Sequence, residues 1–414
     1  MKKKCAFTIV AKNYIGLGLI LEQSIRKYYS DVDFYIVVAD EPSATDLPQN
    51  VIIARHNLDI DGDIWDEMAF KYNLTEFCTA IKPSSITYFL NLGYKKVIYL
   101  DPDILFFSSI EPIFQDLNHY KLVLTPHICS IPQYGTTDAP ETDWTKCGIF
   151  NLGFLGVSDS EFSRSILSWW QKRLNHHCFI DSSRGEYTDQ KWMDFMPAFC
   201  TEKDLLVSKD LGRNLAPWNF FERKVQKINN EYFVSNRYSD DTTVFKLIFT
   251  HFSGYNYKEM LKGNVFQKNI SNLKDYPDIR HLSIEYAKTI SDNRDAFERY
   301  INSEYSYDRF DDGRKITKFD RLIFESLLEE GYQFKTPFRT SGELYHLFKR
   351  NKLLETNSDS CLSDTNQSIS NKIKTANKVL RIIFKIVGKN KYSQIIRAFS
   401  LYRSPRDHSH IIKI

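Results

Sequence analysis

The sequence predicts an α/β protein: a mostly parallel β-sheet flanked by helices, with a helical extension at its C-terminal end. Three observations carry this. Strand-like and helix-like segments alternate over roughly the first 250 residues, the order that gives parallel strands joined by crossover helices. The apolar run Val97-Ile98-Tyr99-Leu100 enters Asp101-Pro102-Asp103 directly, as a buried strand bounded by a turn does. Beyond Tyr255 the alternation stops, and segments with charged helical faces take over.

Taken in order, residues 7–10 read as a first strand and 15–28 as an amphipathic helix. A second strand at 34–39 ends at Asp40-Glu41-Pro42, and a third follows at 51–54. Asn73 stands in a cap position with Glu76 three residues on, a capping-box-like helix start. That helix should pause at Lys82-Pro83, resume with the proline in its first turn, and stop at Gly93. Further strands are expected at 122–124, 149–157 and 244–249, and helices at 162–174 and 190–195. The last strand delivers Thr250-His251-Phe252-Ser253-Gly254. These signals divide the chain into an α/β domain (1–255), a helical extension (256–354), a polar linker (355–371) and a basic amphipathic tail (372–414).

At 414 residues the chain exceeds one ordinary hydrophobic core. Seven scattered cysteines with no Cys-x-x-Cys argue against a disulfide scaffold or zinc site and for a reducing compartment. Lys2-Lys3-Lys4 precede an apolar run that ends at Lys12, too short to favour a signal peptide over a first strand. No apolar stretch reaches the ~20 residues of a spanning helix. The expected location is cytoplasmic.

The segment from Asn366 to Ile414 carries eleven Lys or Arg against one acid, Asp407. Ala376, Val379, Leu380, Ile383 and Val387 share one helical face, and Lys374, Lys378, Arg381 and Lys385 the other. Two readings stand: a peripheral helix on an anionic membrane surface, or a helix packed on the protein's own core with a solvated basic face. Nucleic acid is not an expected partner, since the segment matches no reading motif.

Two carboxylates at the carboxyl end of a central strand lie where open α/β sheets bind ligands. They repel unless something positive sits between them, and a divalent cation carrying a diphosphate suits that place. The alternative is a turn whose Asp101 and Asp103 simply face water.

Four further segments join this motif: Ala11-Lys12-Asn13-Tyr14, Asn151-Leu152-Gly153, Asp189-Gln190 and His251-x-x-Gly254. Together they resemble glycosyltransferase family 8, and specifically nucleotide-sugar transferases of bacterial polysaccharide biosynthesis, over roughly residues 5 to 255. The resemblance implies a GT-A catalytic domain using a nucleotide-diphosphate sugar, by analogy a UDP-sugar, with Mn²⁺ (or Mg²⁺). It implies Asp101, Asp103 and His251 as metal ligands, a set of mixed O and N donors that favours Mn²⁺. It puts Ala11, Asn13 and Tyr14 around the nucleotide base, Lys82 and Asp101 at the diphosphate or donor sugar, and Asn151 facing the sugar. Asp189 would hold sugar hydroxyls and Gln190 would lie near the anomeric carbon. Read without the resemblance, Asn13 or Asp189 would be helix caps, Lys82 a surface lysine, and His251 a hydrogen-bonded strand-end residue. One departure stands out: the family's Lys-Pro-Trp after the late glycine is missing, and Lys258 falls one place late.

The function implied is metal-dependent transfer of a sugar to a hydroxyl of a cell-surface polysaccharide or lipid-linked acceptor, with retention of configuration. An inverting transferase, with Asp66, Glu67 or Asp143 as base, is one alternative. A non-catalytic, membrane-peripheral scaffold on a transferase fold is the other. The acceptor is expected to meet the region after Tyr255 and the Trp65-Asp66-Glu67 segment.

Overall fold

The computed structural model describes residues 4–41, 47–131, 141–239, 243–262, 264–265, 267, 275–354, 366–399 and 404–412. The strands are, in chain order, β1 (Lys4–Val10), β2 (Asp33–Val38), β3 (Val51–Ile53), β4 (Lys96–Leu100), β5 (Ile104–Phe106), β6 (Leu122–Leu124), β7 (Phe154–Ser158), β8 (Ile180–Asp181), β9 (Glu186–Tyr187), β10 (Leu205–Val207), β11 (Arg223–Ile228), β12 (Glu231–Asn236), β13 (Phe245–Lys246) and β14 (Phe249–His251). Seven of them form the central sheet, in the order β10-β6-β7-β4-β1-β2-β3. All its pairs are parallel except those that β7 makes with β4 and β6. The expected mostly parallel α/β sheet is therefore present.

Each element follows from local chemistry. β1 is buried along nearly its whole length, as a strand covered on both faces must be. The helix Ile15–Arg26 returns the chain, burying Ile15, Leu17, Ile20, Leu21 and Ile25. Helices Leu74–Ala80 and Lys82–Asn91 are separate, with Pro83 in the first turn of the second, as the sequence predicts. Ser160 Oγ accepts the Ser163 N–H at 3.0 Å and starts the helix Glu161–Leu174.

Three expectations change. Of the strand expected over 149–157, Phe154–Ser158 joins the central sheet as β7, while Phe150 makes an isolated antiparallel bridge to Pro126 and the turn 151–153 separates the two. The strand expected at 244–249 is two strands, and β14 leaves the central sheet to pair antiparallel with β5, His251 opposite Ile104. Residues 190–195 form a 3₁₀ helix, whose tighter turn suits so short a segment.

The chain divides into two compact units, Met1–Met68 with Leu74–Ser306, and Ala69–Asn73 with Tyr307–Ile414. The first unit thus extends past Tyr255. Helices Pro277–Asp292 and Arg294–Ile301 place Ile279, Leu282, Tyr286, Ile290 and Phe297 in one core with Leu17, Ile20 and Leu105. The second unit has its own core around Phe70, Phe310, Ile323, Phe324, Leu344 and Phe348. There Arg321 donates to the carbonyls of Phe70 and Tyr72.

Residues 355–365 of the expected linker lie outside the described residues. The helix Asn366–Phe399 begins inside the expected linker span and breaks at Gly388, whose φ is 73°. Val379, Ile382, Phe384 and Ile386 are exposed on it, as are Lys378, Arg381 and Lys385. No helix among the described residues is long and apolar enough to cross a membrane.

The approach of helix Ile15–Arg26 to helix Arg294–Ile301 depends on Gly16, where a Cβ would stand 2.7 Å from the Phe297 Cα. Alanine would gain about 1 kcal/mol of helix propensity, but overpacking against backbone costs about 1–3 kcal/mol. Gly16→Ala is expected to lower the urea midpoint, and an unchanged or raised midpoint would refute this contact.

Candidate active site

The site grows from the carboxyl end of β4. β1 runs parallel to β4 on one side, with Phe7 opposite Tyr99, and β7 runs antiparallel on the other. The turn before β7 then closes on the end of β4, where the Asp101 N–H donates to the Gly153 carbonyl at 2.7 Å. Two residues on, β5 pairs with β14, and the Phe252 N–H donates to the Asp103 carbonyl at 2.8 Å. That ribbon carries His251 to the two aspartates. Its Nε2 lies 3.0 Å from Asp103 Oδ1 and 3.6 Å from Asp101 Oδ2. The ring is buried, while Asp101 and Asp103 keep 29% and 17% of their side-chain surface exposed. The imidazole thus comes from the protein side and the carboxylates open outward.

One ligand atom from each of these residues lies within 4.8 Å of the others. Two oxygens and one imidazole nitrogen form a donor set suited to a divalent transition-metal ion. Burial raises the Asp101 carboxyl above its usual range, with Asp103 adding to the rise, while Lys82 and His251 oppose it. Burial also pushes Asp103 up, but the charge and hydrogen bond of His251 overcome this and hold it below the usual range. His251 is raised, because its attraction to Asp103 and Asp101 outweighs the burial that would lower it.

Asn151, in the turn before β7, accepts three hydrogen bonds at Oδ1: from Gly153 N–H (3.2 Å), Asn214 Nδ2 (3.1 Å) and His251 Nδ1 (3.2 Å). Gly153 makes this possible, since a Cβ there would stand 2.4 Å from His251 Cε1. The small residue therefore accommodates the imidazole, not only a ligand.

Lys82 is buried rather than a surface lysine. Its Nζ donates to the Leu152 carbonyl at 2.7 Å and to Asp189, and lies 4.0 Å from the centre of the Tyr99 ring. A buried cation needs such partners, so much of its charge is spent on Asp189. Asp189 occupies the cap position of the 3₁₀ helix Gln190–Phe195 without capping it. Its carboxylate takes Lys82 and the Thr188 hydroxyl instead. Gln190 Nε2 donates to the Cys147 carbonyl at 2.7 Å, leaving Oε1 without a partner among the described residues.

Lys82, Asp101, Asp103, Asn151, Asp189, Gln190 and His251 all line one cavity of about 910 Å³. Ala11, Asn13 and Tyr14 do not line it; they follow β1, one strand over from β4. The link between the two groups is Tyr257, whose hydroxyl donates to Asp103 Oδ2 at 3.2 Å and whose ring meets the Tyr14 ring edge-on at 6.2 Å. Asn13 does not cap the following helix, and its Oδ1 is buried without a partner among the described residues. Lys258 is exposed and away from the cavity. Of the alternative bases, Asp143 lines the cavity, whereas Asp66 pairs with Arg55 at 2.6 Å outside it.

Sequence reasoning missed His127, Asn214, Trp218 and Tyr257. Trp218 packs edge-on against His251 at 5.2 Å, and its Nε1 is buried without a partner among the described residues. No short-range pattern marks these residues; only Tyr257, in the segment that departs from the family pattern, had a flag nearby.

No protein-family model matches the chain. It is 24% identical over 264 residues, 60% of this chain and 80% of that protein, to the uncharacterised protein YfnF of Bacillus subtilis (strain 168). Among solved structures it is similar to the galactosyltransferase LgtC in complex with donor and acceptor sugar analogues. That similarity has 19% identity and a TM-score of 0.40, and covers 69% of this chain and 95% of that one. It is also similar to the bifunctional glycosyltransferase WbbM, at 13% identity and a TM-score of 0.39 over 73% of this chain and 52% of that one. At such identities the geometry of the site carries the functional argument.

Two outcomes are expected. Gly153→Ala displaces the His251 ring and lowers stability by about 1–3 kcal/mol, read by denaturant unfolding. His127, pushed down to about 4 by burial, stays neutral in the folded protein until near that pH. Its unfolded value is higher, so the unfolded chain binds the proton first, and stability falls as pH drops from about 6.5 toward 4. The loss is of order 3 kcal/mol. A His127 imidazole titrating near 6.5 by NMR would refute it.

Proposed function

We propose that this protein is a metal-dependent glycosyltransferase that moves a sugar from a nucleotide-diphosphate sugar to an acceptor hydroxyl. One observation carries the reading. Asp101, Asp103 and His251 converge at the carboxyl end of a central strand, in a cavity that also holds the Lys82–Asp189 pair and Gln190. A binding module for an uncharged sugar would have no use for two carboxylates and an imidazole on one point.

Asp101, Asp103 and His251 would hold the ion, and the imidazole favours Mn²⁺ over Mg²⁺. When bound, it would act as a Lewis acid on the diphosphate leaving group, worth several kcal/mol. The remaining steps belong to the chain. Asp189, oriented by Lys82 and Thr188, would hold donor-sugar hydroxyls. Gln190, anchored through Nε2, would offer Oε1 to positive charge developing at the anomeric carbon. Asn151 would keep its Nδ2 for the sugar. Ala11, Asn13 and Tyr14 would receive the base, and the resemblance favours uridine. Retention follows if the acceptor attacks on the leaving-group face, with no enzymic nucleophile required. The acceptor class the reading favours is a cell-surface polysaccharide or lipid-linked glycan. The basic helix Asn366–Phe399 with its exposed apolar residues supports a cytoplasmic protein peripheral to an anionic membrane face.

The test is nucleotide release from a panel of nucleotide-diphosphate sugars, with and without Mn²⁺. Release should require the metal and fall about a hundredfold or more in Asp103→Ala, the loss expected for several kcal/mol of charge stabilisation. Donor binding without turnover for every sugar would instead favour the scaffold. For the tail, sedimentation with anionic but not neutral vesicles is expected, and equal sedimentation with both would remove the electrostatic part of the argument.

A further inference from the structure

We infer that Asn151 is a positioning residue for the metal site: its side-chain oxygen fixes the tautomer of His251 and thereby the nitrogen that His251 offers to a cation. The inference rests on the metal-site reading above and extends it to residues outside the ligand set.

The argument starts from a donor that cannot be reversed. The Gly153 backbone N–H points at one atom of the Asn151 amide at 3.2 Å. A backbone N–H only donates, so that atom is the carbonyl oxygen and not the NH₂ group. Asn214 Nδ2 donates to the same oxygen at 3.1 Å. His251 Nδ1 lies 3.2 Å from it. An amide oxygen only accepts, so Nδ1 carries the hydrogen. The lone pair available for a cation is then on Nε2, the nitrogen that faces Asp103 Oδ1 and Asp101 Oδ2. In the other tautomer, Nδ1 would set its lone pair against an oxygen and Nε2 would point a hydrogen at the metal position.

The support reaches one layer further. Asn214 is fully buried, has a left-handed φ of 55°, and also donates from Nδ2 to Thr125 Oγ1 at 2.9 Å. It touches neither the cavity nor His251 in the bonds it makes. Thr125, Asn214 and Asn151 thus form a hydrogen-bonded chain ending on the face of His251 opposite the carboxylates. Partners of this kind hold a ligating imidazole in orientation, and their removal typically costs about 10–100-fold in metal affinity.

The test uses the full chain, with Mn²⁺ as probe. Binding is measured by the EPR signal of free Mn²⁺, and the His251 Nδ1–H is followed by imidazole ¹H–¹⁵N NMR in metal-free protein at a pH above the raised His251 value, where the ring is neutral and carries one N–H. Asn151→Ala should weaken Mn²⁺ binding about 10–100-fold and abolish the Nδ1–H signal. Asn151→Asp should retain both, because a carboxylate accepts from all three donors. A contact to sugar through Nδ2 would sort the variants differently: Asn151→Asp would lose donor KM as Asn151→Ala does, while keeping metal affinity. Asn214→Gly, which tolerates the left-handed backbone, should weaken Mn²⁺ about tenfold and serves if Asn151→Ala fails to fold. Unchanged Mn²⁺ affinity with an unchanged Nδ1–H signal in Asn151→Ala, or in Asn214→Gly where that variant serves, overturns the inference. A wild type without Mn²⁺ affinity overturns the metal-site reading instead. The NMR arm then still decides the tautomer, since absence of the Nδ1–H in wild type refutes it and its loss on substitution upholds it.

Discussion

The turn Asn151-Leu152-Gly153 has to serve three distant segments with three successive groups. The Asn151 side chain receives His251, the Leu152 carbonyl receives the Lys82 ammonium, and the Gly153 carbonyl receives the Asp101 N–H. Gly153 must also lack a side chain for the His251 ring to pass. β7 is the antiparallel strand of the central sheet, and its reversed direction is what brings the residues before it to the carboxyl end of β4. A parallel strand in that place would present its amino end at the opposite edge. The geometry of Asp101, Asp103, His251 and the buried Lys82 therefore depends on one inverted strand and the turn that precedes it.

Charge inside the site is divided unevenly, and the distances say why. His251 is closer to Asp103 than to Asp101, 3.0 Å against 3.6 Å. Asp103 is accordingly held low against burial, while burial and the neighbouring Asp103 charge leave Asp101 high in spite of Lys82 and His251. Two neighbouring carboxylates with displaced affinities for a proton are the usual signature of a functional cluster.

Much of the fold was legible in the sequence because its signals are local. The strand running into Asp101, the Lys82-Pro83 helix break and the apolar β1 each depend on a few consecutive residues. The grouping of Asp101, Asp103 and His251 came from the family resemblance, since without it His251 read as a hydrogen-bonded strand-end residue. What was not legible lies in contacts between distant residues. The pairing of β5 with β14 involves three residues each, too few for a periodic signal. Asp189 looked like a cap by position, yet a buried Lys82 competes for its carboxylate and wins, because an unpaired buried cation costs more than an unmade cap. Asn151 read as a sugar contact, and its oxygen is engaged by His251, a hundred residues away.

Several unfavourable features lie in the wall of this cavity, and they argue against a purely structural role. Thr188, a β-branched residue with φ of 47°, precedes Asp189, a strained backbone that costs about 1–3 kcal/mol. A buried Lys82–Asp189 pair is often no more stabilising than apolar residues of the same volume. Trp218 Nε1, in the cavity wall, is buried without a partner among the described residues, at a cost of about 1–3 kcal/mol. Their place in one wall with Asp101, Asp103 and His251 fits groups held in readiness for a polar, charged ligand.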